Sequence, residues 1–282
     1  MKKVIAVILT VFLFAVMLTA NGEGQTEETS AFSANIDKYW QKHDINGIMA
    51  SRGNTEEMLA ANRALMMAMY GENQEITGEY DENLAAKTVS GTYVGKVVSD
   101  EIVSWKGIPY AKQPVGELRW RAPQAPDAND KVYEAYYFGH SSVQVEGGDE
   151  PSSLYPQGED CLNLNLWNNR ADTAENKPIM VWIHGGAYIQ GGACTDEYDG
   201  TNFVKNHPDV IFASIDYRTD FVGFINLSEV PGAEDYYDTA NLGLLDEIQA
   251  LAWLKENAAA FGGDPERITI FGESAGGALY RH

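Results

Sequence analysis

The chain has 282 residues, 44% of them hydrophobic and 11% aromatic, and a formal net charge of −21. That much apolar material sustains a sizeable core and excludes global disorder. The negative charge argues against nucleic acid and anionic membrane surfaces as partners, and the scattered acidic residues read mainly as a solvated surface.

At the N-terminus, MKKVIAVILTVFLFAVMLTA places two lysines before an apolar stretch from Val4 to Leu18. This is the layout of a secretory signal over residues 1–20, with cleavage after Ala20 or Gly22. It predicts a secreted or periplasmic protein. So brief an apolar stretch is short for a span, and no stable membrane insertion is expected once it is cleaved. Export permits disulfides, but the chain has only Cys161 and Cys194, and their spacing does not decide between a pair and two thiols. The five histidines are dispersed and neither HExxH nor CxxC occurs, so no metal is expected.

Residues 21–86 read as a flexible leader followed by a helical extension. NGEGQTEETS (21–30) is polar. Asn54 with Glu57 resembles a capping box, and Met58, Ala61, Leu65, Met66 and Met69 recur at helical spacing before Gly71. From about Thr88 the pattern turns β-rich, TVSGTYVGKVV and EIVSWKG predicting short antiparallel strands joined at glycine turns. Later apolar runs, PIMVWI (178–183), VIFASI (210–215) and RITIF (267–271), suit strands buried on both faces of a parallel sheet. Between the last two, NLGLLDEIQALAWLKENAAAF predicts a helix with Leu244, Ile248, Leu251 and Leu254 near one side, ended by Gly262, Gly263 and Pro265. Strand, helix, strand implies a right-handed crossover and an α/β domain, here residues 87–282.

Two motifs carry chemistry. RITIF followed by GESAGG puts Ser274 on a sharp turn leaving a strand, with Gly272 and Gly276 relieving crowding on both sides. The hydroxyl is thereby expected in solvent at the carboxyl end of the sheet, where open α/β folds bind ligands. The second motif, His184-Gly185-Gly186-Ala187, directly follows PIMVWI. Acyl transfer creates a tetrahedral oxyanion that needs pre-aimed backbone N–H donors, and small residues let the backbone approach. Each motif follows its own buried-strand pattern, in the order a serine hydrolase requires.

Several stretches together resemble the type-B carboxylesterase family, the cholinesterase-like branch of the α/β-hydrolases: WKGIPYAKQPVGELRWRAPQAP (105–126), GEDCLNLNLW (158–167), PIMVWIHGGAYIQGG (178–192), IDYRTDFVGF (215–224) and NLGLLDEIQALAWLKENAAAFGGDPERITIFGESAGG (241–277). The resemblance implies an α/β-hydrolase fold, with a mostly parallel central sheet, antiparallel N-terminal strands and the C-terminal half missing. It also implies hydrolysis of small-molecule carboxylic esters through an acyl-serine intermediate, with no cofactor. Carried over by motif, Ser274 is the nucleophile, Gly186, Ala187 and Ala275 are the oxyanion N–H donors, and Gly185 shapes the loop. Ala187 stands where many relatives have a third glycine. Arg119 and Glu159 are implied to form a buried or half-buried structural ion pair, and Glu273 is expected to be a buried hydrogen-bonding group. Relatives with a disulfide here join the cysteine of EDCL to one in an FGxxC-type segment. In this chain that segment is FGHSS, with Ser142 at the cysteine position, so Cys161 and Cys194 are both expected as thiols. No tryptophan lies between Ser142 and Cys161, which argues against choline esters.

A serine needs a histidine to take its proton and a carboxylate to orient that histidine. In this fold both follow the serine in chain order. After Ser274 come only AGGALYRH, and His282 is too near the nucleophile to serve. The sequence therefore reads as the front part of a longer enzyme, inactive alone. An alternative is a non-catalytic adhesion protein of the cholinesterase-like kind, against which the intact Ser274 and oxyanion loop argue. An amidase, thioesterase or lipase on the same site is a further alternative.

Overall fold

In the computed structural model, residues 71–144 and 156–279 are described, together with Thr55. The expected signal, leader and Met-rich helix lie outside the described residues. The chain divides into two compact units, Met1–Glu72 and Asn73–His282, and the second carries all the elements named here. It begins ahead of the strand expected near Thr88. Asn73 donates to the carbonyls of Lys106 and Tyr137, and the Ile76 amide donates to Val132.

The strands, in chain order, are β1 (Ala85–Thr88), β2 (Gly91–Val94), β3 (Lys96–Ser99), β4 (Ile102–Pro109), β5 (Val132–Glu134), β6 (Ser141–Ser142), β7 (Gln157–Gly158), β8 (Asn163–Asn169), β9 (Lys177–Ile183), β10 (Ile211–Ile215) and β11 (Gly263–Gly272). The helices are α1 (Thr201–Asn206), α2 (Asp220–Phe224), α3 (Leu242–Asn257) and α4 (Ser274–Leu279). Six strands form the main sheet in the order β11-β9-β10-β8-β4-β3. Its β11-β9-β10 half is parallel, and β8, β4 and β3 extend it antiparallel. The glycine turn before Gly91 makes the β1–β2 hairpin.

The apolar runs account for this arrangement. All five residues of β10 are buried, as expected for a strand with neighbours on both edges. In β9 the residues alternate, with Ile179, Val181 and Ile183 fully buried and the intervening residues only partly. Those three join Leu164, Leu166, Ala213 and Ile215 in a core closed by Ala250, Trp253 and Leu254 of α3. Each such aliphatic side chain contributes about 1.5–3 kcal/mol by leaving water. Trp105 packs edge-on to Phe261 at 5.3 Å and satisfies its indole N–H on the Leu84 carbonyl. Lys177 enters this half of the molecule as a buried cation, its ammonium donating to Asn168 Oδ1 and the carbonyls of Asn169 and Pro208.

Two expectations fail here. RITIF is not buried on both faces: Arg267 and Thr269 are exposed and Ile268, Ile270 and Phe271 only half-buried, β11 being an edge strand with one neighbour among the described residues. The buried face of α3 also differs. It is formed by Leu242, Gly243, Asp246, Glu247, Ala250, Trp253, Leu254 and Asn257, while Ile248 is 55% exposed. Periodicity of apolar residues misjudged the face because two acids point inward. One of them, Asp246, is drawn there by Arg218. The helix ends where expected, a 3-10 turn (Ala258–Phe261) leading to Gly262 in the left-handed conformation at φ +84°.

Candidate active site

The end of β11 turns sharply at Ser274, which adopts φ +51°. A non-glycine residue there is strained, and such strain concentrates at functional turns. Glycine on either side permits the bend. A Cβ on Gly272 would stand 2.5 Å from the Ile183 carbonyl oxygen, and one on Gly276 would stand 2.3 Å from that same oxygen. The turn is pressed against the end of β9, and Ser274 is exposed while Ala275 is buried. Ser274 opens α4, so the Ala275 N–H lies in the first helical turn, whose amides have no intrahelical acceptor.

His184 to Ala187 leave β9 beside this elbow. A Cβ on Gly185 would meet Ser274 Cβ at 3.2 Å and the Glu273 carbonyl oxygen at 2.9 Å, so only glycine lets the loop lie this close. The chain then curls, with φ +102° at Gly186, +55° at Ala187 and +66° at Tyr188. The Gly186 carbonyl accepts from the amides of Ile189 and Gln190. Among the described residues, the N–H groups of Gly186 and Ala187 have no acceptor. Two unengaged amides beside an exposed serine are the material of an oxyanion hole.

The chain matches the family model described as "Carboxylesterase family" over residues 83–281. The chain belongs to the carboxylesterase family. It is 43% identical over 194 residues to the para-nitrobenzyl esterase of Bacillus subtilis, covering 66% of this chain and 38% of that protein. It is 38% identical to the phenmedipham hydrolase of Pseudarthrobacter oxydans over 196 residues, covering 68% of this chain and 37% of that one. Among solved structures, the Geobacillus stearothermophilus carboxylesterase EST55 superposes with a TM-score of 0.62 at 47% identity, covering 70% of this chain and 39% of that chain. The chain thus spans about two fifths of the length of these relatives. The fold is that of an α/β-hydrolase in part.

In this carboxylesterase chain the loop after β9 is fastened by residues the sequence did not single out. Tyr217 donates its hydroxyl to the His184 carbonyl at 2.8 Å and stacks on the His184 ring at 4.3 Å. Buried Gln144 clamps Gly191 from both sides, accepting from its amide and donating to its carbonyl. Asp216 accepts from the Ala193 amide, and the Asp220 amide donates to the Tyr188 carbonyl at 2.6 Å. Only Asp216 and Tyr217 left a sequence signal, as polar groups continuing directly from a largely apolar strand.

His184 itself is buried, with Nδ1 against the Gly185 carbonyl and Nε2 without a partner. Burial lowers it to about 4, so it is neutral and a weak base. Glu273 corrects an expectation. It is exposed rather than buried, because nothing packs over the elbow among the described residues.

The implied ion pair forms. Arg119 grips Glu159 through both Nε and Nη2, the latter at 2.5 Å, with side chains 46% and 26% exposed. A more deeply buried pair joins Arg218 to Asp246 at 2.6 and 2.8 Å, with the Arg218 amide adding a third bond. Burial opposes the Arg218 charge, but the bonds and charge of Asp246 offset it and hold the guanidinium above its ordinary value. Cys161 and Cys194 are both buried and no disulfide joins them. The Ser142 hydroxyl accepts from the Thr219 amide. Burial pushes the Cys161 thiol far above its usual range.

Proposed function

We propose that this chain is the front part of an exported carboxylic ester hydrolase that works through an acyl-serine intermediate. Ser274 is the nucleophile, and the N–H groups of Gly186, Ala187 and Ala275 receive the oxyanion. The observation that carries this reading is the exposed, strained Ser274 lying against Gly185, in a loop whose next two amides have no acceptor among the described residues. Attack of the hydroxyl on the ester carbonyl forms a tetrahedral oxyanion. Collapse expels the alcohol and leaves the acyl group on Ser274, and water then releases the acid. Each oxyanion donor stabilises the transition state by about 3 kcal/mol.

The proton taken from Ser274 needs a general base, and no hydrogen bond joins Ser274 to a histidine among the described residues. His184 is buried, neutral and stacked on Tyr217. The base and its orienting carboxylate belong to the length of the relatives that this chain does not match. Alone, therefore, the chain turns over no ester at an enzymatic rate. Substrates are small carboxylic esters, in keeping with the esterases that the chain resembles.

A chimera tests this. Residues 83–281 replace the matching segment of the Bacillus subtilis para-nitrobenzyl esterase, and hydrolysis of para-nitrophenyl acetate is followed. The chimera is expected to be active, with Ser274→Ala lowering kcat at least about 10⁴-fold, while the 282-residue chain alone stays at the buffer rate. An inactive but folded chimera, or turnover by the chain alone that Ser274→Ala abolishes, overturns the reading.

A further inference from the structure

The Gly186 N–H shares one planar, trans peptide unit with the Gly185 carbonyl, and the two point in opposite directions. Whatever holds that carbonyl therefore aims that N–H. The holder is the His184 ring, whose Nδ1–H donates to the Gly185 carbonyl at 2.9 Å. The next peptide unit is fixed in the same way. The Gly186 carbonyl accepts from the amides of Ile189 and Gln190 at 3.0 and 3.1 Å, which turns the Ala187 N–H the other way. The aim of both N–H groups thus depends on where the His184 ring stands and on how the loop closes back on itself.

Two buried side chains from outside the loop govern these two things. Tyr217, just beyond β10, lies nearly parallel to the His184 ring, 4.3 Å away and inclined by 15°. Its hydroxyl donates to the His184 carbonyl at 2.8 Å. The stack sets the plane of the ring, whose Nε2 has no partner among the described residues, and the hydroxyl sets the first peptide of the loop. Gln144, just beyond β6, holds the other end. Its Oε1 accepts from the Gly191 amide at 2.9 Å and its Nε2 donates to the Gly191 carbonyl at 2.8 Å. Gly191, at φ +114°, lies directly against the His184–Gly185 hydrogen bond. A Cβ there would stand 2.4 Å from Nδ1 and 2.5 Å from the Gly185 oxygen. Gln144 therefore presses the returning end of the loop onto the same bond whose ring Tyr217 holds.

We infer that Tyr217 and Gln144 are positioning residues for ester hydrolysis, which act through the His184–Gly185 hydrogen bond to aim the N–H groups of Gly186 and Ala187 at the ester oxygen. Such bonds weaken steeply as the donor leaves the line to its acceptor. They also matter most when charge develops on the oxygen in the transition state. A misaimed pair therefore lowers kcat and leaves KM nearly unchanged. The inference rests on the reading of Ser274 as nucleophile with these amides as oxyanion donors.

The test uses the active chimera that carries residues 83–281. It compares para-nitrophenyl acetate with its thiono analogue, in which sulfur, a poor acceptor of N–H bonds, replaces the carbonyl oxygen. Tyr217→Phe removes the hydroxyl and keeps the stack, and Gln144→Met keeps the length of the side chain and removes both bonds. Each is expected to lower kcat on the oxygen ester at least about tenfold with KM within about twofold. Each should also shrink the oxygen-to-thiono rate ratio at least about threefold, because the thiono ester has less to lose. The ratio cancels any change in the fraction of folded enzyme. Lys177→Met, at the opposite end of β9, is the control: it removes three buried hydrogen bonds and should lower stability without moving the ratio. Equal losses on both esters, or a ratio moved as far by Lys177→Met, overturn the inference. An active chimera whose ratio ignores both changes sinks this inference alone, whereas a folded but inactive chimera sinks the esterase reading and this inference with it.

Discussion

Asp216 and Glu247 are buried carboxyls, each with one oxygen lacking a hydrogen-bond partner. Loss of solvation raises both to about 8, with the Asp246 charge adding to the effect at Glu247. In the unfolded chain such groups titrate near 4, so between about pH 4 and 8 folding takes up a proton at each. Their stabilising contribution is complete below about pH 4 and fades as pH rises toward 8, by at most about 5 kcal/mol per group at 1.36 kcal/mol per pH unit. Asp216→Asn keeps the acceptor for the Ala193 amide and removes the titration. It is expected to raise the urea midpoint at pH 8, to leave it nearly unchanged at pH 4, and to flatten the profile between. Equal shifts at both pH values would contradict the assignment. The sequence concealed these groups. Acidic residues in a chain of net charge −21 read as solvated surface, and spacing cannot show which carboxyls fold inward. Only the position of Asp216, directly after a largely apolar strand, hinted otherwise.

The elements that position Ser274 were more legible than their supports. The apolar runs located β9, β10 and β11, and the glycines of GESAGG and HGGA marked two places where backbones meet. The structure gives those glycines a physical cause. A Cβ on Gly276 would lie 2.3 Å from the Ile183 carbonyl oxygen and 2.5 Å from that of His184, and backbone atoms of this kind cannot step aside. Gly78, by contrast, has nothing within 4 Å of where a Cβ would be. Gly276→Ala is expected to destabilise the chain by about 2–3 kcal/mol, and Gly78→Ala by less than about 0.5 kcal/mol, both read from urea unfolding. A tolerated Gly276→Ala would mean the elbow does not press on the end of β9. Long-range fastenings such as Gln144 on Gly191 left no trace in the sequence, because 47 residues separate the partners.

Across the whole molecule, Arg218 and Asp246 tie the segment after β10 to α3, and Arg218 reaches on to the Arg121 carbonyl. Removing one member of such a buried pair leaves the other charge without compensation, at a cost of about 3–5 kcal/mol, whereas replacing both with apolar residues is far milder. Arg218→Met should therefore lower the unfolding midpoint sharply, and the double change Arg218→Met with Asp246→Leu should recover most of the loss. A double variant as unstable as the single one would show that the pair is not the cause. The two buried thiols have a use of the same reach. Only a thiolate reacts with an alkylating reagent, and neither Cys161 nor Cys194 meets solvent in the closed fold. One sits at the entrance to β8 and the other in the loop beyond Gly191. Each records, by how quickly it takes up the reagent, how often its own neighbourhood breathes open, so one polypeptide carries two internal clocks for local unfolding.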